Sequence, residues 1–363
     1  MSRTPEFHIV NISGIPYRVP VLGKELQVPH GAGVTNGTAA DLHRTSAAVV
    51  AELEEGCFVD AVKDVMSSLS STIRVPSALI GVLIGHKGSK KQKLEAETGA
   101  TLSIPRGRGV MDEVEVTISA SSTNALESMQ TRVALLVEDA RVRCRPTHFL
   151  SLPLTSSSMQ ARVSTFVSEV TKAHADAIIG LAEMLVPAVR FHLTLGTLKI
   201  LTAAQLAATK EVVAETLPEL QRAVAGCGPL SICGLEYMND DPSAVDVLYG
   251  KVTEDAAYAA LQAIWLLLHD RLQAAGVLLQ DEQKMDLSGA LKAHATVMNS
   301  RWRRSVAGQR TAIDVRLLLG THGSYYFGAA EFGPLHLSRL TGGVAANGYY
   351  QSDAVFTLVP AHS

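Results

Sequence analysis

The sequence predicts an α+β protein with a small βααββα module over residues 71–142 and a larger mixed domain over 147–361, behind an arm over 1–70. Three observations carry this. Between 71 and 142, period-two stretches flank two short helical runs parted by glycines. From 147 onward, strand-like and helix-like segments interleave. Two of the later strands, "FHLTLG" and "AHATVMN", each place a histidine two residues before a threonine.

Composition bounds the rest. The 363 residues are 47% hydrophobic and 18% charged, enough apolar material for a large core and too little charge for global disorder. A net charge of −3 excludes a uniformly basic nucleic-acid coat but allows a local basic patch. The four cysteines, Cys57, Cys144, Cys227 and Cys233, form no CxxC pair, which argues against a disulfide framework or a zinc site and fits a reducing compartment. The first residues, "MSRTPEFHIV", lack the apolar run of a secretory signal, and no stretch has the ~20 apolar residues of a membrane span. An intracellular soluble chain is expected, with no cofactor.

The arm opens with "FHIVNISGIPYRVPVLG", a short alternating piece. "HGAGVTNGTAADLHRTS" has no period and reads as loop; "AAVVAELEEGCFVDAVKDVM" has room for a short helix. A partly disordered arm is one reading, and a partner-docking segment using "GIPYRVPV" is the other.

In the small module, "TIRVP" alternates as a strand and "SALIGVLIG" is a helical run stopped by Gly85. "SKKQKLEAETG" is a second helix, with Ser89 as N-cap and Gly99 as its stop. "ATLSIP" and "EVEVTI" are strands. "NALESMQTRVALLVEDARVR" is an amphipathic helix with Leu126, Met129, Val133, Leu136 and Val137 on one side. In the larger domain, "HFLSLPL", "RFHLTLG", "LSICGLEYM", "AVDVLYGKV", "KAHATVMN" and "LHLSRL" read as strands. "MQARVSTFVSEVTKAHA", "AAQLAATKEVVAETLPELQRAV" and "AAYAALQAIWLLLHDRLQAAG" read as helices.

The joint between the first two helices is Gly85-His86-Lys87-Gly88. Glycines without Cβ atoms let a sugar-phosphate backbone come close, and the second helix's N-terminus presents N–H groups and a positive dipole end. Lys87, Lys90, Lys91 and Lys93 add charge, and Ile84 with the following strand offers an apolar wall for bases. A lone GxxG is weak, but the frame Ile80-Gly81, Ile84-Gly85-His86-Lys87-Gly88, Thr98-Gly99-Ala100 resembles the KH domain, whose GxxG loop clamps about four nucleotides of a single strand. The resemblance implies a type I KH fold binding single-stranded RNA or DNA. One departure stands at Lys91, where the family carries an apolar residue; here that residue is delayed to Leu94. A KH fold serving only as a protein contact is the alternative.

In "FHLTLG" the period of two puts His192 and Thr194 on one face and Phe191, Leu193 and Leu195 on the other. In "KAHATVMN", His294 and Thr296 share a face while Ala295 and Val297 turn inward. Opening a phosphodiester beside a 2′-hydroxyl, or a 2′,3′-cyclic phosphate, takes one base and one acid, and histidine serves as either near neutral pH. The threonine hydroxyls donate to non-bridging phosphate oxygens. The pattern alone is weak in a chain with 12 histidines: "HGSY" at His322 also fits, and "HRTS" at His43 and "HLSR" at His336 nearly do. Structural histidines remain the other reading.

Two tandem H-x-T strands, one in each half, resemble the two-histidine (2H) phosphoesterase superfamily. That likeness implies a bilobal domain with a central cleft, His192, Thr194, His294 and Thr296 as the catalytic set, and metal-independent chemistry. A KH module directly ahead of such a domain, with "GLEYMNDDPSAVDVLYGKV", resembles a family of transcription-coactivator complex subunits linked to alkylation-damage repair. It implies a nuclear setting and a large helicase subunit as partner. A non-catalytic subunit whose cleft recognises nucleic-acid ends, or a scaffold, is the rival.

Four further stretches each have two readings. "YMNDDP" with Asp246 reads as a turn or a carboxylate metal site. "RWRR", Arg301 to Arg304, reads as a solvated turn or a phosphate guide. "SYYFG" reads as a strand packing its rings inward or a base-stacking surface, and "PRGRG", from Arg106, as a turn or a second backbone contact.

Overall fold

The computed structural model describes residues 7–12, 15–20, 69–105, 109, 111–277, 290–303 and 312–359. It divides into a unit ending at Met66 and a unit from Ser67 onward. In the first, β1 (Phe7–Ile12) and β2 (Ile15–Pro20) pair antiparallel from Phe7 opposite Pro20 to Ile12 opposite Ile15. The alternating opening of the arm is thus a hairpin. The loop and helix expected between 30 and 66 lie outside the described residues.

The second unit begins with the βααββα order the sequence predicts. It comprises β3 (Leu69–Pro76), α1 (Ile80–Ile84), α2 (Ser89–Thr98), β4 (Thr101–Ser103), β5 (Glu113–Ala120) and α3 (Thr123–Arg143). The sheet runs β3-β5-β4, all antiparallel. Alternation in β5 buries Val114, Val116, Ile118 and Ala120 against the helices. Met129 and Val133 of α3 are fully buried, and Leu126, Leu136 and Val137 pack at the margin of the same core. The Ser122 hydroxyl caps α3 by accepting from the Ala125 N–H.

The larger domain follows. Its elements are β6 (His148–Pro153), α4 (Ser157–His174), α5 (Leu181–Met184), β7 (His192–Leu198), α6 (Ala203–Val224), β8 (Leu230–Tyr237), β9 (Val247–Val252), α7 (Ala256–Ala274), β10 (His294–Asn299), α8 (Arg316–His322), β11 (Tyr326–Ala330), β12 (Leu335–Arg339) and β13 (Ser352–Phe356). The strands join in the order β11-β8-β9-β10-β7-β6-β12-β13, every neighbouring pair antiparallel. Two four-stranded halves meet where β7 lies beside β10, through the single pair Leu193–Ala295. The expected lobes are therefore halves of one eight-stranded sheet. Leu193, Leu195, Ala295 and Val297 face a common core with Val213 and Leu220 of α6 and Leu261 and Ile264 of α7. β13, α5 and α8 were not expected from the sequence; α5 and α8 are only 4 and 7 residues long, and β13 is half-exposed without alternation.

The two domains share a junction. Leu201, just after β7, is buried within the core of the small module. The Lys199 ammonium, 9% exposed, donates to the Arg141 carbonyl at 3.2 Å and to that of Val142 at the C-terminal end of α3. A cation there satisfies carbonyls that lack helical partners and complements the helix dipole. Replacing Lys199 with Ala is expected to destabilise the second unit by about 1–3 kcal/mol, because the last carbonyls of α3 lose a charged donor held in a buried position. A urea midpoint unchanged from wild type would refute that role.

Candidate functional site

The glycine joint is a run of left-handed backbone. Gly85 (φ 70°), Lys87 (φ 50°) and Gly88 (φ 84°) turn the chain between α1 and α2 through a short 3-10 turn at His86–Gly88. A Cβ on Gly85 would stand 2.8 Å from the Lys90 Cβ, so conformation and space both require glycine. The N-cap of α2 is Gly88, not Ser89, and no side chain caps it. The sequence rule for Ser at an N-cap yields here to the glycine that closes the turn. The first N–H groups of α2 thus stay uncapped by side chains. Gly99 ends the helix in the left-handed region, as expected.

His86, Lys87 and Lys90 are exposed beside this joint. Lys91 and Lys93 are committed to Glu95 at 3.7 Å and Glu97 at 3.8 Å, four residues on. Glu95 also accepts from the Leu102 N–H at 2.8 Å. Lys91 therefore braces a carboxylate that ties α2 to β4, while Leu94 fills the core. Ile84 is half-buried at the margin of the same core. Of "PRGRG", residues 106–108 lie outside the described residues.

In the larger domain, alternation turns His192 and Thr194 of β7 and His294 and Thr296 of β10 to the sheet face opposite the core. Carrying the Leu193–Ala295 register one residue either way sets His192 across from Thr296 and Thr194 across from His294. The two H-x-T motifs are thus side by side at the seam. The cross-strand neighbours of Thr194 and Thr296 are Ser151 on β6 and Tyr249 on β9.

Both imidazoles are held alike. His192 Nδ1 lies 2.6 Å from the Arg190 carbonyl, and His294 Nδ1 lies 2.8 Å from the Lys292 carbonyl. A carbonyl only accepts, so Nδ1 carries the proton and Nε2 holds the lone pair in the neutral ring. Aromatic rings set the tilt. His192 meets Phe149 at 5.3 Å and Tyr350 at 5.5 Å; His294 meets Tyr249 at 5.4 Å. Tyr249 donates to Glu236 at 3.0 Å, and burial together with that carboxylate pushes its phenol far above the usual range. It is a buried, neutral ring packed beside His294. Tyr349, whose hydroxyl is 3.0 Å from that of Ser151, is likewise raised by burial.

Comparison with known proteins shows the family. Residues 146–358 match the AKAP7 2'5' RNA ligase-like domain, more than half of the chain. The chain belongs to this family. Ahead of its ligase-like domain it carries a KH domain, matched over residues 70–134. The ligase-like chain is also 30% identical over 305 residues to activating signal cointegrator 1 complex subunit 1 of Mus musculus, covering 79% of this chain and 83% of that protein.

The other stretches make local structural contacts. Asp241 accepts from the Ser243 hydroxyl at 2.6 Å and Asp246 from that of Ser300 at 2.8 Å, so the carboxylates of "YMNDDP" and its neighbour order loops. Among the described residues no three His, Cys, Asp or Glu side chains are grouped to hold a metal, and no helix is long and apolar enough to cross a membrane. Tyr325 and Phe327 pack their rings on Phe166 at 5.1 and 5.0 Å, while Tyr326 faces outward under Arg162. Of "RWRR", Arg301 and Trp302 form a 3-10 turn, Arg303 donates to the Ile179 carbonyl, and Arg304 lies outside the described residues.

Three histidines outside the H-x-T pairs tune stability. His148 is buried 3.0 Å from Asp353; His322 packs near His174; His336 sits 3.0 Å from the Ser352 hydroxyl. Burial is the main cause holding all three below the ordinary 6.5, partly offset by Asp353 at His148 and Glu169 at His322. The folded chain then binds fewer protons than the unfolded chain as pH falls through 6.5. Their contribution is complete above that pH and is lost below it. The melting temperature is expected to fall between pH 7.5 and 5.5, less steeply in His322→Gln. A flat calorimetric profile across that window would refute it.

Proposed function

We propose that the chain is a nucleic-acid-binding subunit whose KH domain holds single-stranded RNA or DNA and whose cleft performs metal-independent chemistry on a phosphodiester or a 2′,3′-cyclic phosphate. One observation carries the reading: two H-x-T strands adjoin at the seam, and both histidines have Nδ1 fixed by a carbonyl two residues back. One Nε2 takes the proton from the attacking oxygen, a 2′-hydroxyl or water. The other, protonated, donates to the leaving oxygen. The Thr194 and Thr296 hydroxyls donate to the non-bridging oxygens as charge gathers there. These four groups supply both proton transfers and the charge stabilisation.

Membership of a transcription-coactivator complex acting in alkylation repair, in the nucleus with a large helicase subunit as partner, belongs to the same proposal. Its support is the likeness to the mouse complex subunit.

The test is incubation with short RNAs ending in a 2′,3′-cyclic phosphate or a 3′-hydroxyl, EDTA present, beside the His192→Ala/His294→Ala double variant. Product that disappears in the variant supports the reading and shows which bond is cut. RNA bound equally by both forms without product favours a subunit that recognises nucleic-acid ends. Activity abolished by EDTA overturns the metal-free mechanism.

A further inference from the structure

Arg190 and Lys292 occupy equivalent places, each two residues before a cleft histidine and each lending the carbonyl that holds its Nδ1. Their side chains are placed alike as well. The Arg190 guanidinium lies over the Tyr350 ring at 5.6 Å, and the Lys292 ammonium over the Tyr249 ring at 5.8 Å. Those are the rings in edge contact with His192 and His294. Each half of the cleft thus builds a closed set of carbonyl, imidazole, phenol ring and cation.

The charges are available. Neither cation is in an ion pair among the described residues; Arg190 spends one donor on the Gly348 carbonyl at 3.3 Å. Glu236 lies on the cleft side next to Tyr249, but Lys251 neutralises it at 3.0 Å.

Because β7 and β10 are antiparallel and meet at Leu193–Ala295, the two cations lie beyond opposite ends of the reacting centre. Each stands three residues from the seam, so their backbones are separated by at most about 20 Å along the strand direction, at ~3.3 Å per extended residue, Arg190 closing a 3-10 turn just before β7. Side chains reaching inward shorten that span but leave one positive group on either side. A strand end carries phosphates on one side only and meets one of the two. A strand passing through meets both.

We propose that Arg190 and Lys292 are the end clamps of the cleft, and that the cleft takes an internal phosphodiester of a single strand, with a phosphate on each side of the reacting one, in preference to a strand end. This rests on the cleft reading above and narrows its substrate class.

The test uses the full chain carrying His86→Asp/Lys87→Asp, which suppresses binding at the KH joint. The probes are a five-nucleotide 2′-O-methyl RNA, which lacks the 2′-hydroxyl nucleophile, and uridine 2′,3′-cyclic phosphate. The pentamer is expected to bind about 10-fold or more tighter, with a salt dependence that each of Arg190→Gln and Lys292→Gln reduces by about 0.7 in log–log slope, the share of one phosphate contact to a single strand. Arg190→Lys and Lys292→Arg are expected to restore the slope, and melting curves report whether the Arg190 loop stays folded. Equal affinity for the two probes, or wild-type slopes in both glutamine variants, overturns the clamps while leaving the cleft reading in place. If neither probe binds in a manner sensitive to His192→Ala/His294→Ala, the cleft reading itself fails.

Discussion

His294→Ala is expected to lower kcat/KM on a cleavable RNA by about 10²- to 10⁴-fold, and His192→Ala by a similar factor. Each variant removes one of two proton transfers, and water at the vacated site is poorly placed and has the wrong acidity. The double variant is expected to lose little more than either single one, since the pair acts as a unit. The symmetric carbonyl contacts at 2.6 and 2.8 Å leave both rings able to act through Nε2, so geometry alone assigns neither role. A substrate with a nitrophenolate leaving group separates them. The variant missing the acid regains activity on it, because that group departs without a proton; the variant missing the base does not. The pH profile gives a second readout, losing its alkaline limb without the acid and its acidic limb without the base. Wild-type kcat/KM in either single variant would rule out this chemistry at the cleft.

Local periodicity made most of the fold legible. In β5 the alternation of apolar residues is complete, and in β7 it holds from His192 to Leu195, so strand, face and core follow from one another there. The GxxG frame gave the turn because a positive φ at Gly85 and Gly88 leaves little choice of residue. What escaped depends on contacts between distant segments. Tyr349 and Tyr350 reach His192 from a loop more than 150 residues downstream, and nothing near them marks that destination. His148 has a partner 205 residues away, Asp353, without which its burial has no explanation. Arg190 and Lys292 are different. The repeated pattern of a cation, any residue, His, any residue, Thr stands in the sequence at 190–194 and 292–296. It carries no signal alone, because a basic residue before a strand is ordinary until the ring beneath it is known.

His86→Asp/Lys87→Asp is expected to weaken single-strand binding by about 10-fold or more at moderate salt, because two carboxylates replace an imidazole and an ammonium where phosphates would lie. The fold should survive this change. Both side chains are exposed, and Lys87 sits at φ 50°, a region that Asp adopts more readily than most residues. Since Lys91 and Lys93 are paired with Glu95 and Glu97, His86, Lys87 and Lys90 carry the local attraction. Two carboxylates beside Lys90, with the Lys87 ammonium gone, set the field at the uncapped start of α2 against a phosphate. Gly85→Val fails for another reason: its Cβ would meet the Lys90 backbone nitrogen at 2.9 Å, so binding and melting temperature should fall together. Fluorescence anisotropy with a labelled single strand, read beside a thermal melt, distinguishes the two. If the charge-reversed protein melts like wild type and still binds within about two-fold, where a phosphate contact should have been lost, the KH joint does not hold the strand and the cleft must.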